Sequence, residues 1–251
     1  MLAKAILPWF GGTPAVWTTC MLFFQVLLLG GYVYAHLIVT RLAPRAQVYV
    51  HFTMLLASLF FLNILPSASW RPSGYESPAL SILLMLGASV GVPYLALSAT
   101  SPLAQAWFLG VSRGRSPYRL YALSNAGSML ALLSYPFIFE PLLALKTQAA
   151  LWAGLYLLFV PACGWCAVSF LRSTPTAAPA PGPAAAERTS GPGWRRRGLW
   201  FVLPACGSGL LLATTNQLTL NVSVVPFMWV LPFSLYLLSF ILCFDGGRFY
   251  K

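Results

Sequence analysis

The spacing of its charges constrains this chain more than any other feature. Between short basic connections run apolar segments close to the length of a membrane crossing, and from Ala79 to Leu109 there is no Asp, Glu, Lys or Arg at all. A helix rises about 1.5 Å per residue through about 30 Å of hydrocarbon, so runs near twenty residues can cross a bilayer with their backbone hydrogen bonds closed internally. Hydrophobic residues make up 59% of the chain and charged residues 8%, whereas a soluble domain carries about a quarter charged residues. A soluble fold of this composition would have almost no polar shell to cover its core.

Eight runs read as spans: a short one ending at Phe10, then about 15–40, 48–65, 79–99 with a helical extension to 109, 118–143, 148–171, 199–215 and 225–244. The expected fold class is therefore all-α, a polytopic transmembrane helical bundle of about eight spans. The first run is about half a crossing, which implies a helix continuing upstream of Met1. The chain also stops just past the eighth run, so both ends read as cut. Pro93 predicts a kink in the fourth span.

Basic residues test this count independently. Arg41, Arg45, Arg113, Arg115, Arg119, Arg172, Arg188, Arg195, Arg196, Arg197, Arg248 and Lys251 fall on one set of alternating connections, while the opposite set holds only Arg71 and Lys146. The positive-inside rule makes the rich side cytoplasmic, with the C-terminus on it, and turns the Gly11–Gly12 break outward. Trp9, Phe10 and Trp17 then form an aromatic belt around an external hairpin, and Pro14 suits the first turn of the second helix. The net charge of +11 is explained by topology and by contact of the Arg clusters with anionic lipid. No nucleic-acid-binding module is present.

Residues 173–197, rich in Pro, Ala and Gly and closed by three arginines, cannot bury enough apolar surface to fold and read as a disordered cytoplasmic linker. The expected organisation is a first bundle of about six spans over 1–172, this linker, and two further helices over 198–251 belonging to an incomplete second bundle. Six helices, a linker and further helices resemble the halves of a major facilitator transporter. A faint internal echo accompanies that order: Trp17 opens the second span as Trp229 opens the eighth, with Thr214, Thr215, Asn216 and Gln217 in the place of the first external turn.

Two stretches carry a more specific likeness. LPWFGGTPAVWTTCMLFFQ at 7–25 and SPYRLYALSNAGSMLALLSYPFIFEP at 116–141 resemble the membrane region of the bacterial fused major-facilitator and spermidine-synthase-like family. That resemblance implies a multi-pass protein of the inner membrane, and a cytoplasmic aminopropyltransferase-like domain following the helices. The chain departs from the family there, with no Gly-rich nucleotide loop and no acidic cluster, its four acids Glu76, Glu140, Glu187 and Asp245 being dispersed. Any synthase-like activity would need that missing domain, and no catalytic residue or cofactor is expected in this chain. The resemblance implies a transporter-like domain that moves or senses a small solute, a cationic amine being a natural candidate. The alternatives are a non-transporting anchor for a synthase-like domain, carried downstream or on a partner chain, and a structural subunit completed by a second membrane chain.

Polar side chains within spans are costly and normally face a bundle interior or a water-filled cavity. Thr18, Gln25, Tyr32 and His36 recur on one face of the second span, and Tyr121, Asn125, Ser128 and Tyr135 on one face of the fifth. Tyr94, Ser98, Ser101 and Gln105 make a third stripe. They line either a solute pathway or a set of interhelical hydrogen bonds worth about 0.6 kcal/mol each. Ser124, Gly127, Ser128 and Ala131 follow the small-residue spacing that lets helices touch. Lys4 and Glu140, both near the outer ends of their spans, are a candidate intramembrane ion pair, the alternative being that each snorkels to headgroups. His36 and His51 bracket a cytoplasmic turn. Cys163 and Cys166 form a CGWC sequence within a span, without the strand-turn-helix setting of a redox pair, and no metal site is expected.

Overall fold

The computed structural model describes residues 1–11, 13–71, 77–111, 118–173, 193–222 and 230–244, of which 92% are helical, with no strand among them. Helix α1 (Leu2–Phe10) ends at Gly11, whose φ of 78° lies in the left-handed region open to glycine and whose N–H reaches the Leu7 carbonyl at 2.8 Å. Thr13 is extended, and Pro14 opens α2 (Pro14–Arg41), where its missing N–H costs nothing. The Arg71 guanidinium lies 5.9 Å over the Trp9 ring, a cation–π contact beside this hairpin.

After α2 come α3 (Pro44–Ser58), tightened by a 3-10 turn at Leu59–Phe61, then α4 (Pro78–Leu86) and α5 (Val92–Val111), joined by a π turn at Gly87–Gly91. Helix α6 (Tyr118–Ser134) passes through a second π turn, Tyr135–Phe139, into the short α7 (Glu140–Leu142). Helices α8 (Leu145–Ser173), α9 (Trp194–Val222) and α10 (Val230–Phe244) follow. The kink expected at Pro93 appears as the π turn just before it. Pro93 has no N–H and its ring presses on the carbonyl four residues back, so the hydrogen-bond ladder widens there. The second π turn stands in the same relation to Pro141, and on that turn the Glu140 N–H bonds to the Tyr135 carbonyl.

Among the described residues, five helical stretches are long and apolar enough to cross a membrane: Ala15–Arg41, Pro78–Val111, Leu120–Leu142, Leu145–Ser173 and Trp194–Thr215. They coincide with the second, fourth, fifth, sixth and seventh of the eight runs. The first run, read as half a crossing, forms the nine-residue α1, and the third and eighth form α3 and the apolar α10, with fifteen described residues each. Several long apolar helices define a membrane-embedded, multi-pass helical protein.

Two compact units divide the chain, one of Met1–Arg115 with Leu143–Thr174 and the other of Ser116–Leu142 with Pro175–Lys251. The fifth apolar run therefore groups with the C-terminal helices instead of the first bundle: within the second unit α6 packs along α10, and α10 on α9. Tyr121 meets Phe244 with ring centroids 5.8 Å apart. In the first unit α2 packs on α5 and α4, and α3 on α5 and α8.

Two further boundaries move. Helix α9 starts at Trp194, with Gly193 in the cap position accepting bonds from the Arg196 and Arg197 amides, so the three arginines open a helix and are not the tail of a linker. The same helix runs on to Val222, so residues 214–217 are helical and not a turn. There the Thr215 hydroxyl donates to the Leu211 carbonyl at 2.7 Å, inside the helix. Linker residues 174–192, Trp229, Arg113, Arg115, Arg188, Arg248, Lys251, Glu76, Glu187 and Asp245 lie outside the described residues.

Candidate functional site

The buried face of α3 is polar. Gln47, His51, Leu55 and Ser58 share one side of that helix, and all four are buried in the first unit. His51 is 1% exposed although it sits about 10 Å along the helix from Pro44. Its Nε2 lies 2.9 Å from the Thr100 hydroxyl on α5, which in turn donates to the Ala96 carbonyl at 2.7 Å.

Aromatic rings surround this point. The Tyr34 ring from α2 is 6.0 Å from the His51 ring, and Trp107 from α5 meets His51 edge-on at 6.2 Å. Trp107 stacks on Phe170 of α8 at 5.4 Å with 13° between planes. Its indole N–H donates to Gln47 Oε1 at 3.1 Å, and Gln47 Nε2 donates to the Leu42 carbonyl at 2.9 Å, which ties α5 and α3 to the α2–α3 corner. Ala35, Ile38, Val48, Leu103 and Ala167 close the apolar packing around it.

Further along α3, Ser58 sits 2.6 Å from the Tyr156 hydroxyl of α8 and donates to the Leu55 carbonyl at 2.6 Å. Because the serine proton is committed to Leu55, the tyrosine must be the donor of the pair. Tyr156→Phe removes one bond and should cost about 0.6 to 1.7 kcal/mol. Ser58→Ala leaves a buried tyrosine hydroxyl without its acceptor and should cost more, about 1 to 3 kcal/mol. Unfolding of each variant in mixed detergent micelles measures that asymmetry. Beside this pair an open apolar groove is lined by Leu97, Trp152, Leu155, Tyr156 and Phe159.

Of the residues singled out from sequence, Thr18, Gln25, Tyr32 and His36 are exposed on α2. The face of α2 that turns into the first unit is instead Val16, Cys20, Phe23, Gly31, Ala35 and Ile38, apolar and small because it packs against α5 and α4. The α5 stripe divides. Tyr94 is half-buried edge-on to Phe24, Ser98 is buried against α2, and Gln105 is buried with its amide 3.4 Å from the exposed Ser101 hydroxyl. In the second unit Tyr121 and Ser128 are exposed, while Asn125 and Tyr135 are half-buried, and the Asn125 amide donates to its own helix at the Tyr121 carbonyl. A Cβ on Gly127 would meet nothing within 4 Å among the described residues, so this small-residue stripe is not a close contact there.

Lys4 is exposed on α1 of the first unit, and Glu140 is half-buried where α7 begins in the second. Cys163 is buried in the packing of α3, α5 and α8, Cys166 is exposed, and both are free thiols. Among the described residues no three His, Cys, Asp or Glu side chains cluster as metal ligands would.

The sequence reading missed the α3 seam. Its signal is the helical spacing of Gln47, His51 and Ser58, which starting the third span at Val48, one residue past Gln47, obscured. A second signal is a short repeat. Leu42-Ala43-Pro44-Arg45-Ala46-Gln47 matches Leu143-Ala144-Leu145-Lys146-Thr147-Gln148 in pattern, and in both the glutamine amide donates to the carbonyl five residues back at 2.9 Å. Each glutamine is the fourth residue of its helix and locks the corner that precedes it. No family model, no curated protein and no solved structure matches the chain.

Proposed function

We propose that this chain is a transporter-like integral membrane domain of the spermidine-synthase-like kind, built on a major-facilitator-like helical half, that moves or senses a small solute such as a cationic amine. The observation that carries this reading is the exposed polar face of α2. From Thr18 to His36 it covers about 27 Å, close to the full depth of the hydrocarbon. A polar stripe of that length is costly against lipid tails and calls for water or polar partners along it.

The test is cysteine accessibility in a background with the five native cysteines replaced. Gln25→Cys, Tyr32→Cys and His36→Cys should react with a membrane-impermeant maleimide, and Val26→Cys and Val33→Cys, one position further round the same helix, should not. Equal protection at all five positions would sink the pathway. Saturable uptake of a labelled amine into proteoliposomes tests the solute class.

A second reading has one observation in its favour. Where α2 crosses α5 at Gly31 and Ser98 the contact is close, as in a rigid anchor. In that role the α2 face would be covered by a partner membrane chain or would support a cytoplasmic synthase-like domain. On either reading Trp194, 80% exposed, with Arg195 lying 5.7 Å over its ring, makes the start of α9 an interfacial anchor suited to the anionic lipid of the inner membrane's cytoplasmic face.

A further inference from the structure

His51 Nδ1 and the Tyr34 hydroxyl are both buried, and among the described residues neither has a hydrogen-bond partner. Their rings stand 6.0 Å apart, centre to centre, tilted by 44°. Thr100 fixes which nitrogen of His51 carries the proton. Its only hydroxyl hydrogen goes to the Ala96 carbonyl at 2.7 Å, so toward His51 the oxygen can act only as an acceptor. His51 Nε2 therefore carries a proton, and because a buried charge without a paired acid is costly the ring is neutral and Nδ1 presents a bare lone pair in the interior of the first unit.

A buried acceptor and a buried donor without partners are each unfavourable, and native interiors satisfy such groups with a protein group or an ordered small molecule. We propose that His51 Nδ1 and Tyr34 Oη frame an internal binding site for one small O–H or N–H donor molecule, which donates to Nδ1 and meets the tyrosine hydroxyl on its other side. The surroundings restrict the class. Beyond these two groups and the Thr100 hydroxyl on Nε2, the packing around them is apolar, with Ala35, Ile38 and Leu103 in the same cluster as Trp107, which lies edge-on to His51 at 6.2 Å. No acid or thiol among the described residues joins His51 to make a metal site. The shared chemistry is a neutral or cationic hydrogen-bond donor, supplied either by water or by the ammonium end of a solute. Only the second source rests on the solute-handling reading proposed above.

The chain has two histidines, so His36→Gln protein labelled with nitrogen-15 histidine reports the His51 ring alone. Nuclear magnetic resonance of the full chain in lipid nanodiscs at neutral pH should find Nε2 protonated and the Nδ1 resonance displaced from the value of an unbonded lone pair. Tyr34→Phe should move Nδ1 part of the way back. Adding methylammonium chloride against potassium chloride at equal ionic strength separates the sources. A saturable further displacement of Nδ1 assigns the amine, whereas an unchanged resonance with magnetisation exchange to solvent assigns water. A proton on Nδ1, in either the other tautomer or the imidazolium, overturns the proposal, and so does an Nδ1 resonance at the unbonded value. Failure of amine uptake in proteoliposomes removes the transport reading and leaves this ring measurement unaffected.

Discussion

Gly31→Ala abolishes stable packing of α2 on α5, while Gly30→Ala, one residue away, is tolerated or slightly stabilising. A Cβ at Gly31 collides with Ser98 Oγ and comes within 2.9 Å of both Ser98 Cβ and the Ala99 amide nitrogen. The last of these is backbone of a buried helix, which cannot rotate aside. Overpacking of a tight interior costs about 1 to 3 kcal/mol and sometimes more, and the backbone contact puts Gly31→Ala at the upper end. The Gly30 Cβ meets only Leu95 Cδ1 at 3.6 Å, an ordinary contact, and alanine is the better helix former by about 1 kcal/mol. Ser98→Gly, combined with Gly31→Ala, should restore part of the loss by removing the two side-chain clashes and leaving the backbone one. Denaturant titration of folded protein in micelles measures all four states. Equal tolerance of alanine at both glycines would mean that α2 and α5 do not cross at Gly31.

The two glycines look alike in sequence, side by side in a leucine-rich run, and only their rotation about α2 separates them. That is the pattern of the whole molecule. Long apolar runs set by the bilayer's thickness were legible, because a span is decided by length and composition, and Pro14 and Gly11 marked the ends of the first hairpin correctly. Which face of each span turns inward was not. On α2 the polar residues at 18, 25, 32 and 36 suggested an interior, yet the packed face is the smaller and more apolar one, since close crossing rewards small residues over polar ones. On α3 the reverse holds: an unremarkable short run hides Gln47, His51 and Ser58, and each finds its partner on another helix or on its own backbone. Partners as distant in sequence as Thr100 and Tyr156 cannot be read from local spacing. Nor could periodicity reveal that the fifth run leaves the first bundle to pack with α10, for its apolar content suits either neighbour.

Trp107 is the residue whose loss should damage the first unit most through a side chain. It is 4% exposed, stacks on Phe170 and donates to Gln47, and so joins α5 to α8 by its ring and to α3 by its N–H. Trp107→Ala removes both and leaves a cavity, a change that costs about 3 to 5 kcal/mol in a well-packed core. Trp107→Phe keeps much of the stack and deletes the donor, leaving Gln47 Oε1 buried without that bond at a cost of about 1 to 3 kcal/mol. Gln47→Leu should restore part of the loss in the Phe background, because two apolar groups facing each other leave no polar atom unmet, although the tie to the Leu42 carbonyl goes with it. The double-mutant cycle isolates the pair. A coupling energy near zero between Trp107→Phe and Gln47→Leu would show that the indole holds the unit together by packing alone, and that the corner after α2 is fixed by the glutamine's own bond to Leu42.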